Sequence, residues 1–248
     1  MTPSPILKVL STLTTSGVRS LLMGGQACVL YGGAEFSRDT DIVVLADDDN
    51  LGRLAAAVAE LEADVVAVPP FSRSHLEAGH AVHFRCRAGG VEGMRLDVMA
   101  RIRGLPDFTT LWQRRTTIDT AAGPIEVLSL PDLVTTKKTQ RDKDWPMITR
   151  LVEADYAAHG PRADTPRTVF WLRELRTPSI LVDVARSAAD VSASLVRERP
   201  LLAAALAADA AGVAAGLAAE EAREREADRI YWAPLRQELE RLRLDRRG

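Results

Sequence analysis

The sequence predicts an α+β protein, with a mixed sheet and interleaved helices over its first two-thirds and an all-helical C-terminal region. Three observations predict it. Short β-rich runs alternate with helical stretches as far as residue 130, strand signals stop at Pro131, and beyond Pro166 the chain is rich in alanine, leucine and arginine at helical spacing. No internal repeat is present.

Ile6, Leu7, Val9, Leu10 and Leu13 form the apolar face of a first helix. "SLLMG" then reads as a strand and "GQACVLY" as a short helix opening after Gly24-Gly25, while Gly32-Gly33 ends that helix. After the strand "DIVVLA", residues 48–63 read as a helix capped by Asp48 or Asp49, with Leu51, Leu54, Ala55, Val58 and Leu61 on one face. Further strands are expected at 64–68, 80–86, 94–100 and 124–130. Residues from Pro131 to His159 read as a helix pair or a kinked helix broken near Pro146. "HGPRADTP" at 159–166 reads as a linker, which divides the chain into a domain over 1–160 and a helical domain over 161–248.

Composition narrows the function. With 248 residues the chain can bury a substantial core, and a formal charge of −2 argues against a surface built to coat nucleic acid. Cys28 and Cys86 lie far apart in apolar segments without metal-ligand spacing, as expected of buried free thiols in a reducing cytoplasm. The N-terminal "MTPSPILKVLSTL" lacks the pattern of a secretory signal, and the alanine run at 203–219, interrupted by Asp209, is too weakly apolar for a membrane span. The expected location is therefore cytoplasmic.

The stretch with chemical content is "LLMGGQACVLYGGAEFSRDTDIVVL", residues 21–45. Asp39 and Asp41 occupy alternate positions as a strand begins, so both carboxylates project from one face. Such neighbours repel unless a cation lies between them, and a hard divalent ion is the simplest resolution. Asp97 in "MRLDVMA" supplies a third carboxylate within an apolar strand. Read separately, the pair also suits an ordinary loop-to-strand transition, and Asp97 the solvent face of an antiparallel sheet. A glycine pair at a helix start lets backbone N–H groups approach an anion, and it equally suits a tight turn.

Taken together, these parts resemble the signature of the polymerase-beta-type nucleotidyltransferases: an apolar residue, Gly-Gly or Gly-Ser, an intervening loop, Asp-x-Asp at a strand start, and a later strand with a third acid. Here the parts are Met23, Gly24-Gly25, thirteen intervening residues, Asp39-Thr40-Asp41, and Asp97. The resemblance spans about residues 20–145 and is closest to the bacterial minimal nucleotidyltransferases and abortive-infection toxins. It implies Mg²⁺ or Mn²⁺ on Asp39, Asp41 and Asp97, these three as catalytic residues, and nucleotide contacts at Gly24, Gly25 and Ser37. Thr40 stands where the pattern is usually apolar, and Glu35 near where an arginine is common.

Next comes "TTKKTQRDKDW". On a helix, Lys137, Arg141 and Asp144 would share a face with Lys138 and Lys143 flanking it, either as a clamp for a triphosphate or as a solvated run of salt bridges. The resemblance implies the clamp. Arg85, Arg87, Arg95, Arg101 and Arg103 either add positive potential or occupy outward strand positions, the second being the favoured reading, and His75, His80, His83 and His159 read as structural or surface residues. The balanced charges of residues 220–248 suggest an exposed helix or a contact between copies of the chain. The expected activity is transfer of a nucleoside monophosphate from an NTP to a tRNA end, a protein hydroxyl or a small molecule, in a toxin–antitoxin or resistance setting. The alternative is a nucleotide-sensing or interaction protein that keeps the fold without turnover.

Overall fold

The computed structural model describes residues 4–120 and 123–246. It shows the mixed α/β class, with one seven-stranded mixed sheet and a helical C-terminal region. The chain forms two compact units, Met1–Leu30, Glu35–Thr136 and Tyr231–Gly248 in the first, Tyr31–Ala34 and Lys137–Ile230 in the second. The chain passes between the units after Thr136 and again after Ile230.

In the first unit the strands are β1 (Ser20–Met23), β2 (Asp39–Val44), β3 (Asp64–Val65), β4 (Val82–Arg85), β5 (Arg95–Met99), β6 (Thr116–Thr120) and β7 (Gly123–Val127), in the order β3-β4-β5-β2-β1-β7-β6. β2 pairs parallel to β5 and β1 parallel to β7, while the β1/β2, β3/β4, β4/β5 and β6/β7 pairs are antiparallel. Leu21, Ile42, Val43, Val44, Leu96 and Val98 are fully buried at its centre. β2 alternates only at its start, where Asp39 and Asp41 are part-exposed and Thr40 is buried; from Ile42 onward both faces are covered. Carboxylates are therefore tolerated at the first half of this strand and nowhere beyond it.

Helices α1 (Pro5–Thr15), α2 (Gly24–Leu30), α3 (Asp48–Glu60), α4 (Arg73–Ala78), α5 (Phe108–Gln113) and α6 (Leu130–Thr136) complete this part of the unit. Asp47, one residue before the expected caps, caps α3 by accepting from the Asn50 N–H at 2.7 Å. Buried Asn50 in turn bonds the backbone of Arg19 and Leu45, which fixes α3 against the entrance of β1 and the exit of β2.

The expected strand at 64–68 is only two residues long, since Pro69 and Pro70 follow closely and supply no N–H to a ladder. β6, "TTIDT", was not expected: it carries one apolar residue, so its only local signal is its β-branched content.

In the second unit the expected helix over the basic run is absent. The chain between α6 and α7 (Asp144–His159) is a turn, and Pro146 lies in the first turn of α7, where its missing N–H breaks no helical bond. The supposed linker at 159–166 holds a 3₁₀ turn at Gly160–Arg162 and the cap of α8 (Thr165–Glu174), made by Asp164 accepting from the Arg167 N–H at 2.9 Å. It is structured within one unit because that cap and turn satisfy its backbone. α9 (Pro178–Ser187), α10 (Ala189–Leu195), α11 (Leu202–Leu206) and α12 (Ala210–Asp245) follow.

Buried Arg199 spans this unit: it holds Glu220 with two bonds and donates to the Leu172 and Leu175 carbonyls. Arg176 lies 4.6 Å from the centre of the Trp145 ring, and burial pulls its pKa down.

The C-terminal part of α12 from Tyr231 belongs to the first unit, where Leu235 is buried, Glu238 bonds buried His80, and Gly79 abuts Tyr231. Among the described residues no helix is long and apolar enough to cross a membrane.

Candidate active site

The candidate site is built where three strands run side by side. Asp41 is the direct register partner of Asp97 across the parallel β2/β5 pair, and Asp39 that of Arg95. Because register partners point to the same side of a sheet and alternate residues share a face, Asp39, Asp41, Arg95 and Asp97 form one strip. β4 extends it, since His83 faces Asp97 directly. The opposite face of the same residues is core: Thr40, Leu96 and Val98 are fully buried.

Two of the three carboxylates on this strip meet one guanidinium. Arg95 Nη2 lies 2.9 Å from Asp97 Oδ2 and 3.2 Å from Oδ1, and Nη1 lies 3.9 Å from Asp39 Oδ2. His83 Nδ1 lies 2.9 Å from Asp97 Oδ1. Asp97, only 14% exposed, is thus held from two sides, while Asp39 at 44% remains open to solvent. Arg95 was expected at an outward strand position and His83 in a structural or surface role. Both lie on the strip because the strand order brings them there, and the signal available in sequence was the alternation Arg95-x-Asp97.

The glycine pair is placed against these acids. Gly24 opens α2 in the left-handed region, φ +68°, and a Cβ there would collide with the carboxylate of Asp41. A Cβ on Gly25 would collide with Ser37 Oγ. Ser37 is anchored, its carbonyl accepting from Gln26 Nε2 at 2.6 Å. Gly24 and Gly25 are therefore required for Asp41 and Ser37 to approach the turn so closely. The spacing of thirteen residues lets the loop return Ser37 and the aspartates to that turn.

Lys137, Lys138, Arg141 and Lys143 lie in the second unit on the turn before α7 and share no helix face. Asp144 organises this turn: Arg141 Nε donates to it at 2.7 Å, Thr139 Oγ1 at 2.6 Å, and Lys137 Nζ lies 3.7 Å away. Lys138 donates to Glu174 at 2.8 Å. The expected shared face fails because the buried carboxylate of Asp144 gathers these donors and replaces the helical bonds the segment would otherwise make.

Asp39, Asp41 and Asp97 supply carboxylate oxygens, the ligands that hard divalent cations prefer, with the His83 imidazole beside Asp97. Among the described residues no three His, Cys, Asp or Glu side chains converge as a ready metal cluster, and Arg95 engages Asp97. The donor chemistry and the adjacency of Asp41 and Asp97 fit such a cation, with Arg95 supplying the positive charge in the arrangement seen here.

Fold and strip together define a mixed α/β protein with an acid-lined face at the entrance of its central strands. No protein-family model matches the chain, and no curated protein matches it. Among solved structures, the crystal structure of an antigenic nucleotidyltransferase-like protein from Paracoccidioides brasiliensis is similar, at 16% identity and a TM-score of 0.34, over 84% of this chain and 94% of that one.

Proposed function

We propose that the protein is a nucleotidyltransferase dependent on Mg²⁺ or Mn²⁺, moving a nucleoside monophosphate from an NTP to an acceptor hydroxyl with release of pyrophosphate. The observation that carries this reading is the register of Asp41 against Asp97, with Gly24 abutting Asp41. It joins the glycine turn, the aspartate pair and the third acid, which are separated in sequence, into one surface.

Asp39, Asp41 and Asp97 would hold the cation. Bound there, it supplies neutralisation of the triphosphate and stabilisation of charge developing at the α-phosphorus. Gly24 and Gly25 let Asp41 and Ser37 close on the turn, where Ser37 would offer a hydroxyl donor to a phosphate oxygen of the bound nucleotide. Asp97, oriented by His83, takes the proton of the acceptor hydroxyl once Arg95 swings off it. Lys137, Lys138, Arg141 and Lys143 are the proposed phosphate-binding cations. The acceptor classes are a tRNA end, a protein hydroxyl or a small molecule, in a toxin–antitoxin setting, with self-association through the C-terminal helices. Cys28 and Cys86 are buried cysteines whose wide separation in sequence and lack of metal-ligand spacing support a cytoplasmic location.

One observation favours a second reading. Arg95 bound to Asp97 and near Asp39 would suit a protein that binds nucleotide without turning it over.

The purified protein, incubated with each α-labelled NTP, Mg²⁺ and whole-cell RNA or protein, separates the two. Transfer that falls at least about a hundredfold in Asp41→Asn and Asp97→Asn, with the fold intact, supports catalysis. Binding without transfer supports the second reading, and wild-type transfer by both variants ends the assignment of the acids.

A further inference from the structure

The loop preceding the acidic strip presents two side chains that the fold leaves unused. Phe36 is 71% exposed, more than any other large apolar residue among those described. Arg38 is exposed too, with its guanidinium carbon 6.0 Å from the centre of the Phe36 ring. No ion pair joins Arg38 to a carboxylate among the described residues, in contrast to Arg95, the arginine on the strip.

The loop itself is anchored. Between these two residues, Ser37 is held to α2 through Gln26 and sits against Gly25. Phe36 and Arg38 are thus displayed on either side of a fixed point, three residues and one residue before Asp39. Single exposed apolar residues are common and need no explanation. A ring beside an unpartnered guanidinium, on an anchored loop at the edge of an acidic strip, is a more specific arrangement.

We propose that Phe36 and Arg38 form a stacking platform for a nucleobase at the candidate site. This rests on the nucleotidyltransferase reading and adds to it the residues that would hold the base. An aromatic face and a planar guanidinium both stack on the π-face of any base, and the guanidinium adds attraction for nearby phosphate. The base belongs either to the NTP or to the terminal nucleotide of an RNA acceptor; its chemistry on the platform is the same.

The test compares wild type, Phe36→Trp, Phe36→Leu and Arg38→Gln in Mg²⁺, with four probes. These are ATP, inorganic tripolyphosphate, 2-aminopurine riboside triphosphate, and a short single-stranded RNA ending in 2-aminopurine, whose fluorescence is quenched on stacking. Phe36→Leu is expected to weaken binding of the base-bearing probe about tenfold and to remove its quenching, with Phe36→Trp restoring both. Arg38→Gln weakens it severalfold, and tripolyphosphate affinity stays the same in wild type, Phe36→Trp and Phe36→Leu. A response in the two triphosphates assigns the base to the NTP; a response in the RNA alone assigns it to the acceptor.

Wild-type affinity and quenching in Phe36→Leu overturn the platform. So does a wild-type protein that binds tripolyphosphate as tightly as ATP and quenches neither fluorescent probe, an outcome that leaves the nucleotidyltransferase reading standing. A wild-type protein that binds no triphosphate and transfers nothing overturns both.

Discussion

Asp41 on β2 and Asp97 on β5 are direct partners across a parallel strand pair, two carboxylates from positions 56 residues apart brought side by side on one face. With Asp39 on the same face, their repulsion is offset here by Arg95, which lies 2.9 Å from Asp97 and 3.9 Å from Asp39. Arg95→Gln should therefore lower the stability of the metal-free protein by on the order of 1 kcal/mol, a modest value because the pair is partly screened by solvent. Added Mg²⁺ should recover most of that loss. Thermal melts with EDTA and with Mg²⁺ check it, and a loss that Mg²⁺ leaves untouched speaks against a cation on the strip.

Gly24 adopts φ +68° with the Asp41 carboxylate against it. Gly24→Ala combines backbone strain with a direct collision and should destabilise the protein by about 1–3 kcal/mol. Gly52, where an added methyl group would meet nothing within 4 Å, is a control within the same unit; Gly52→Ala on the helix α3 should be neutral or stabilising by up to about 1 kcal/mol. Chemical denaturation of the two variants shows whether the glycine turn is required.

Thr40 is fully buried, and its hydroxyl has no hydrogen-bond partner among the described residues. Thr40→Val keeps the shape and removes the unsatisfied group, so it should raise stability by about 1 kcal/mol. An unfolding midpoint equal to or below wild type would mean that the hydroxyl finds a partner in solution.

The turn before α7 depends on Asp144. Asp144→Asn weakens the attraction to Arg141 and Lys137 while leaving their charges in place, and should lower stability by about 1–3 kcal/mol. Measuring NTP affinity on Lys137→Ala, Lys138→Ala, Arg141→Ala and Lys143→Ala alongside melting temperature separates phosphate binding from scaffolding. A phosphate contact weakens NTP binding by about 1.5–3 kcal/mol.

Glu238 accepts a hydrogen bond from buried His80, which holds its carboxyl below its ordinary 4.5; His75 and Arg241 act in the same direction. A depressed carboxyl pKa stabilises the folded state above the unfolded value, and that contribution is lost as pH falls through the folded value. Wild type should thus melt above Glu238→Gln at pH 7, with the gap closing below about pH 4.5. A gap independent of pH would assign the effect to packing alone.

By itself the sequence determined the elements whose signals are local. Periods of two and 3.6 residues marked β1, β2, β4, β5 and most helices. Gly24-Gly25 and Asp39-x-Asp41 were legible because a turn and a strand start are each decided within a few residues. The tertiary structure decided what depends on pairing between distant segments. The order β4-β5-β2-β1 places Asp97 beside Asp41 and brings His83 and Arg95 onto the same strip, and no local pattern encodes which strands become neighbours. The basic run had helical spacing, yet Asp144 draws its donors into a turn, because hydrogen bonds to a buried carboxylate outweigh a weak helix propensity. Likewise Tyr231 onward had the charge balance of an exposed helix, while its contacts with Gly79 and His80 come from residues some 150 positions earlier, a relation that only the folded chain can create.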